Sequence, residues 1–441
     1  MHREALTVAI EALSWMELRR INGRLALRRT ARQLGVREEP LLREAFRLIM
    51  ETTRRRNAVD HLAAQALGQE NLEDLNLGVR SFLRIYAYEV KYGERPFQEV
   101  VGIAALAREI LGSKELVPVE EALDLIPHLE VRYESLPEDE ATALRTFHPA
   151  WYVRYCTELL GRKEALRLLQ SPALPTYVRL NSLKGAEGEI LESLRREGVV
   201  LKEEPSLEHA FRVVDQARPL SLLEAYREGL FTVQDKASIL AGLVAAPESR
   251  TTVLDVCAAP GIKTGHLAQL MGDQGRILSL DFSKRRLETW KMEMERLGVE
   301  NAVPVLCDAR KPEEFPDVEA DLILLDPPCT GTGTFHRVPS GKWRLSRRSI
   351  GRMASLQSRM LGNCAKRLRE GGRIVYCTCS VTLEENEGVI EGFLWEHPEF
   401  RLVAAEPRMG LPGLMGQREA QRLYPHIHGC NGFYVAKLLR E

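Results

Sequence analysis

Two stretches of this 441-residue chain run apolar sequence into thiols. "LILLDPPCTGTG" (322–333) passes through a double proline to Cys329, and "RIVYCTCS" (373–380) ends on Cys377 and Cys379. A cysteine can be half of a disulfide, a metal ligand, a small core filler or a nucleophile, and its surroundings choose among these. Eight cysteines scattered along so long a chain suit reduced thiols rather than a disulfide framework. Cys329, Cys377 and Cys379 offer three thiolates, yet no CxxC pair or companion histidine completes a usual zinc set, so no metal is expected. Cys156, Cys257, Cys307 and Cys364 read as small buried hydrophobes. Cys329 and Cys379 lie in turn-rich sequence at strand ends, where a thiolate can attack an electrophilic carbon. Cys377 shares strand parity with Cys379 as long as the strand stays regular, so periodicity does not separate the two.

Carboxylates accompany the thiols. Asp255, Asp281, Asp308 and Asp326 close four successive apolar runs. Any one of them alone suits a helix cap or a turn. Four at one edge of a sheet point to a ligand. Asp281 stands one strand–helix–strand unit after the first loop, where an acid grips a ribose hydroxyl in Rossmann-type sites. The first loop, "CAAPG", is not GxGxxG and offers no pyrophosphate cradle, which disfavours a dinucleotide. Its small residues let a nucleoside approach the backbone, with Lys263 at the start of the next helix.

The elements that hold these groups are legible from residue 251 onward. "TTVLDVC", "RILSLD", "AVPVLCD", "DLILLD" and "RIVYCTC" are apolar runs of strand length with helical segments between them, including "SKRRLETWKMEMERLG" with its Gly298 stop and a long helix around 349–369. Continuous apolar strands joined by crossover helices predict an α/β fold with a doubly wound, mostly parallel sheet, covered on both faces, whose ligands sit beyond the strands' carboxyl ends. Ahead of it, "TYVRLNSLKG", "EGEILESLRREG" and "HAFRVVD" predict a small α+β module. Residues 1 to about 110 read as helical: "ALTVAIEALSWMEL" sets Leu6, Ile10, Leu13 and Met16 on one face, and Pro40 opens another helix. Acids and prolines in 113–145 suit a linker. The resulting division is 1–130, 131–245 and 246–441.

Formal net charge is −1, so an acidic partner must be met by a local patch. One candidate is 335–369, which has no acid and carries Arg337, Lys342, Arg344, Arg347, Arg348, Arg352, Arg359, Lys366, Arg367 and Arg369 with Trp343 among them; this predicts phosphate contact. A second is the arginine-crowded front end: Arg19, Arg20, Arg24, Arg28, Arg29, Arg32 and "TRRRN" at 53–57. The first residues carry charges and lack a signal-peptide apolar core, and no run approaches the ~20 uncharged residues of a membrane helix. A cytoplasmic protein is expected.

The segment "FLRIYAYEVKYGERPFQEVVGIAALAREILG" (82–112) resembles the last helix pair of the helical RNA-binding domain of the antitermination factor NusB. "DVCAAPGIKT", "DPPCTGTG" and "YCTCSVTLEEN" resemble the signature loops of the Sun/Fmu (RsmB-like) RNA cytosine-5 methyltransferases, and "YVRLNSLK", "FTVQDKAS" and "GFYVAKL" match that family's flanking motifs. The resemblance runs from about residue 148 to the end. It implies a class I Rossmann-like methyltransferase domain behind a small RNA-recognition module and a NusB-like domain, with RNA as partner, ribosomal RNA ahead of tRNA. It further implies S-adenosylmethionine as cofactor, held by Cys257, Ala258, Ala259, Pro260, Gly261, Ile262 and Lys263, by Asp281 on the ribose with Arg286 close by, and by Asp308 near the adenine. Asp326 is placed beside the methionine moiety and the target base, Cys379 is the implied nucleophile, and Cys329 assists product release. Ile262 departs from the family, which usually has glycine there; a β-branched residue resists positive φ, so the loop must be ordinary at that point. Cys377 is read as incidental.

That chemistry needs these residue types. Carbon 5 of cytosine is a poor nucleophile until a thiolate adds at carbon 6 and makes it enamine-like; loss of the carbon-5 proton and expulsion of the cysteine then restore the ring. The base has to leave any stack to be reached. Two rival readings are weaker. An amino-methyltransferase loop of the DPPY type needs no thiol. A non-catalytic RNA-binding or assembly factor does not call for both thiols and every acid.

Overall fold

The computed structural model describes residues 1–205 and 207–441. It divides into two compact units: Met1–Gln170 with Phe335–Arg344, and Ser171–Thr334 with Leu345–Glu441. The division is in two, with its first cut at 170 rather than at 130 and 245.

The first unit is helical. Helices Arg3–Arg19, Gly23–Leu34, Glu39–Arg54, Arg56–Leu67, Leu77–Tyr92 and Phe97–Leu111 follow one another. Leu6, Ile10 and Leu13 are buried in the core as their spacing predicts, and Pro40 stands in the first turn of its helix, where its missing N–H costs nothing. The stretch predicted as a linker is structured. Short helices at Ser113–Leu116, Glu120–Leu125 and Glu138–Thr146 fill it, and Val119, Ala122, Leu123 and Ile126 enter the same hydrophobic core. Those four residues keep the i, i+3, i+4, i+7 spacing of one helix face, although the surrounding acids and prolines dilute it.

The second unit carries two sheets. The small one is antiparallel throughout, in the order β2-β3-β1-β4, with β1 Tyr177–Leu180, β2 Val199–Glu203, β3 Ala210–Gln216 and β4 Phe231–Val233. Strand β2, half exposed and interrupted by charge, and β4, only three residues long, are the elements their sequence concealed.

The large sheet contains β5 Thr252–Val256, β6 Arg276–Asp281, β7 Ala302–Leu306, β8 Ala320–Leu325, β9 Leu368–Thr378, β10 Phe400–Val403, β11 Leu411–Pro412, β12 Gln421–Leu423 and β13 Phe433–Arg440. Its order is β11-β12-β13-β9-β8-β5-β6-β7, with β10 on the edge of β13. Strands β9, β8, β5, β6 and β7 are parallel, and β13 joins β9 antiparallel. Alternate residues serve opposite faces, as a period of two requires. Leu254, Leu278, Ile323 and Ile374 pack with Met360, Leu361 and Ile390 on one side. Val253, Ile277, Leu322 and Val375 pack with Ile239, Leu240 and Leu267 on the other. This is the predicted doubly wound, Rossmann-like sheet. The helix expected around 349–369 spans Arg347–Ala365, because Leu368 and Arg369 already belong to β9.

The basic run 335–369 splits between the two units. In the first unit Lys342 Nζ donates to the Phe147 carbonyl (3.0 Å), Trp343 Nε1 to the Thr53 carbonyl (2.6 Å), and Arg344 Nη1 to the Arg20 carbonyl (2.5 Å). Three members of the expected phosphate patch are therefore occupied internally. In the second unit Arg367 pairs with Asp317 and Arg369 with Asp321, leaving Arg348, Arg352 and Arg359 exposed along one face of helix Arg347–Ala365. "TRRRN" is likewise engaged, with Glu51 holding Arg54 and Arg55, and Asp60 holding Arg56.

Lys342 is only 4 % exposed, and burial, together with Arg54 and Arg55, pulls its ammonium down to about 7 against the opposing charge of Glu51. An unfolded lysine stays protonated to about 10.4, so between these values the unfolded chain binds the extra proton and stability rises with pH. Thermal melts should show wild type gaining up to about 1.4 kcal/mol per pH unit relative to Lys342→Met between about pH 7 and pH 9. Parallel curves for the two proteins would contradict the assignment.

Candidate active site

All the predicted site residues lie in the second unit, at the carboxyl ends of β5 through β9. The loop after β5 turns sharply. Cys257 has φ 68°, the Ala259–Pro260 peptide is cis, and Gly261 has φ 108°. A Cβ on Gly261 would meet Met294 Cε at 2.8 Å and Trp290 Cδ1 at 3.0 Å, so glycine is required there on both counts. Ala258 and Ala259 are buried and Pro260 is exposed. Ile262 is the first residue of helix Ile262–Leu270 and is absent from the positive-φ positions; the left-handed turn falls on Gly261 instead.

Asp281 ends β6 and is 2 % exposed. Its Oδ1 accepts from the Ser283 N–H (3.1 Å). Its Oδ2 lies 3.0 Å from Arg286 Nη1, but the angle is not that of a hydrogen bond, so this buried oxygen keeps an unfilled acceptor position. Arg286 is also hydrogen-bonded to the Ala259 carbonyl, which ties the first loop to the helix after β6. Asp308 is gripped by Arg310 Nε at 2.8 and 3.0 Å, and this bond holds its carboxyl below the usual range. Asp281, Phe282, Asp308, Ala309, Leu356 and Met360 border a cavity of about 170 Å³. It has the apolar walls and few converging polar groups of a small-ligand pocket.

Asp326, past β8, accepts from Lys263 Nζ at 2.6 Å, and although burial works against the ammonium, Asp326 outweighs it and raises the lysine. Asp255 differs from the other acids. It is buried inside β5, accepts from Thr264 Oγ1 (2.6 Å), and is pushed by burial to about 6. Thr264 in turn accepts from Trp290 Nε1 (2.9 Å). Asp255 thus belongs to the interior scaffold behind the loop.

The two thiols of interest meet. Cys329 Sγ and Cys379 Sγ are 3.2 Å apart, both reduced and half-buried. The bond to Cys379, burial, and the charges of Glu385 and Asp326 push the Cys329 thiol well above its ordinary pKa, so it keeps its proton. Cys377 is in β9, opposite Val435, with its side chain in the core. Strand regularity ends at Thr378, which is why parity did not distinguish Cys377 from Cys379.

Several buried polar residues around the two thiol loops were not among those the sequence pointed to. The fully buried Glu385 carboxylate accepts from the Thr330 N–H (2.8 Å), Ser380 Oγ (2.7 Å), Thr382 Oγ1 (2.9 Å) and Gln357 Nε2 (3.0 Å), and from Thr330 Oγ1. Asn386 bonds Thr378 Oγ1 and the Ser380 carbonyl. Glu387 forms a buried pair with Arg422, whose Nη1 donates to the Val381 carbonyl (2.9 Å). The available signal was the four consecutive polar residues 384–387, leading into a helix after a loop rich in hydroxyls. At Gly333 a Cβ would strike the Gly432 carbonyl oxygen at 2.0 Å, so the loop after Cys329 lies directly against the turn before β13.

A doubly wound sheet with acids and thiols along its carboxyl edge is the fold of a Rossmann-like methyltransferase. The family described as 16S rRNA methyltransferase RsmB/F matches residues 242–439, and that part of the chain belongs to it. It is 28% identical over 450 residues to the probable ribosomal RNA small subunit methyltransferase B of Bacillus subtilis, covering 98% of both chains. The solved structure of PH0851 superposes with a TM-score of 0.86 over 99% of each chain, at 29% identity. The structure of NSun6 from Pyrococcus horikoshii with SFG gives a TM-score of 0.61 at 27% identity, over 66% of this chain and 98% of that one. No described helix is long and apolar enough to cross a membrane.

Removing one partner of the buried Arg422–Glu387 pair strands the other. Arg422→Met should lower unfolding stability by roughly 3–5 kcal/mol in a denaturant titration, more than the same change at exposed Arg418.

Proposed function

We infer that this protein transfers a methyl group from S-adenosylmethionine to carbon 5 of a cytosine in RNA, with Cys379 as nucleophile and Cys329 assisting release. The observation that carries this reading is the pair of free thiols 3.2 Å apart at the sheet edge, beside the Lys263–Asp326 pair. A single nucleophile needs no second thiol; an adduct that must be made and then broken has work for two. Cys379 suits attack at carbon 6, and Cys329, its sulfur 3.2 Å away, is within reach of the same adduct and can pass a proton to the departing sulfur. The carbon–sulfur bond formed at carbon 6 breaks again when the carbon-5 proton leaves.

The residues present fit S-adenosylmethionine. The unfilled oxygen of buried Asp281 suits a ribose hydroxyl, and the cavity between Asp281 and Asp308 suits an adenine. Cys257 through Lys263, with Arg286, frame the loop side. When bound, the cofactor supplies an electrophilic methyl group on a sulfonium. Asp326 is read as the group that hydrogen-bonds the polar edge of the base.

Ribosomal RNA is favoured over tRNA, since relatives matched from end to end bear a ribosomal RNA name. The helical front end and the small α+β module are read as RNA-holding parts. Support lies in helix Gly23–Leu34, which contains no acid and presents exposed Arg24, Arg28 and Arg32 at every fourth position. Arg29 stacks over Trp15 at 3.8 Å. The cysteines, all of them free, suit a reducing compartment, and the protein is read as cytoplasmic.

Two measurements test the reading. Asp281→Ala should weaken S-adenosylmethionine binding in calorimetry by roughly 1.5–3 kcal/mol, ten- to a hundredfold. Unchanged affinity in a folded variant removes the ribose assignment. In the second, the protein is incubated with S-adenosylmethionine and substrate RNA and run on a denaturing gel. Cys379→Ala should give no covalent band and no turnover, and Cys329→Ala should accumulate a protein–RNA band because release stalls. A band in Cys379→Ala that is missing from Cys329→Ala would reverse the two roles.

A further inference from the structure

The two thiols come from different loops, which are tied where the Gly333 N–H donates to the Cys379 carbonyl (3.0 Å) and the Val381 N–H to Thr332 Oγ1 (2.9 Å). A denser tie lies one residue removed from each thiol. Thr330 follows Cys329, Ser380 follows Cys379, and both converge on Glu385. Gln357 adds a third strap. Its Nε2 donates to Glu385 Oε2 (3.0 Å) and to the Pro328 carbonyl (2.9 Å), the residue before Cys329. Tyr376 closes the ring: its hydroxyl donates to the Glu385 carbonyl (2.6 Å) and lies 3.2 Å from Gln357 Oε1. Glu385 thus takes two N–H donors on Oε2 and three hydroxyls on Oε1, which saturates a carboxylate's acceptor positions. Hydrogen bonds to a buried charge are stronger than neutral ones, so the frame is stiff.

We propose that Glu385 is a positioning residue that sets the separation and facing of Cys329 and Cys379, acting through the hydrogen-bond frame around its side chain. The inference deepens the two-thiol reading above and rests on it for its catalytic consequence, although the geometric claim stands by itself. The frame works by shape. A glutamine can turn its carbonyl oxygen toward the N–H groups of Thr330 and Gln357 and its NH₂ toward two of the three hydroxyls, which rotate to accept, so four of the five bonds remain. Charge is lost and most of the frame is kept. Alanine removes the frame, and Thr330→Ala removes a single strap at a half-exposed position.

The test uses the full chain with neither RNA nor cofactor in its first arm. Diazenedicarboxamide takes two electrons and two protons from a pair of thiols, becoming the hydrazine as the S–S bond forms. Timed quenching, alkylation and peptide mass spectrometry then give the rate of Cys329–Cys379 joining. Wild type should join fast, Glu385→Ala at least about tenfold slower, Thr330→Ala in between, and Glu385→Gln within about threefold of wild type, since catalytic geometry is sensitive to shifts near 1 Å. In the second arm, methyl transfer to RNA, kcat should fall in the same order, by about a hundredfold in Glu385→Ala, with KM for RNA little changed. Equal joining rates in Glu385→Ala and wild type would overturn the proposal. So would a Glu385→Gln protein that joins fast yet loses turnover as fully as Glu385→Ala, since charge and not position would then matter. Should Glu385→Ala fail to fold in a thermal melt, Thr330→Ala and Glu385→Gln carry the comparison. If the functional reading itself is wrong, the second arm is blank in wild type too, while the first still ranks the variants.

Discussion

Strands β8 and β9 run parallel and side by side, with Leu325 opposite Tyr376. Everything distinctive about the site depends on that adjacency. Parallel neighbours release their chains in the same direction at the same edge, so the loops that follow them must occupy one region. Cys329 and Cys379 follow the paired residues by nearly the same number of steps, and the register brings their sulfurs to 3.2 Å. Had another strand been inserted between β8 and β9, the thiols would be separated by a further strand spacing of about 4.8 Å.

Adjacency alone leaves two flexible loops. The interior resolves this with charge. Glu385 and Glu387 are fully buried, and each would be costly without partners. Glu385 is satisfied by hydroxyls and N–H groups of the loops themselves, and Glu387 by Arg422 and the Leu414 N–H. A buried ion pair contributes little net stability over an apolar substitute, yet it penalises every arrangement that leaves one partner unpaired. Here the penalised arrangements are those in which the loops part. Gly333 against the Gly432 carbonyl adds a steric condition to the electrostatic one.

Much of this was legible in the sequence, for identifiable reasons. Strands buried on both faces are nearly continuous apolar runs, so β5, β6, β8 and β9 could be read directly, and the acids and thiols at their ends followed. Where apolar residues are sparse, the pattern failed. Residues 113–145 contribute Val119, Ala122, Leu123 and Ile126 to a core, but among enough acid and proline to resemble a linker. Glu385 and Gln357 were invisible because a polar residue on the page looks solvated, and only the fold shows that it is not. The run at 335–369 taught the reverse lesson. Like charges need not face a ligand when backbone carbonyls can accept hydrogen bonds from them, as those of Phe147 and Arg20 do from Lys342 and Arg344.

Segment Phe335–Arg344 packs with Met1–Gln170 although the sequence on either side of it belongs to the other unit. For a chain made from its N-terminus this imposes an order of events. The helical unit leaves the ribosome first but lacks Trp343 and Lys342, which donate to the carbonyls of Thr53 and Phe147. Those carbonyls wait, hydrated, while all of Ser171–Thr334 is synthesised, on the order of ten seconds at ordinary elongation rates. The helical unit is therefore the first to emerge and cannot be the first to finish. A nascent chain stalled anywhere before residue 335 presents it without its last piece.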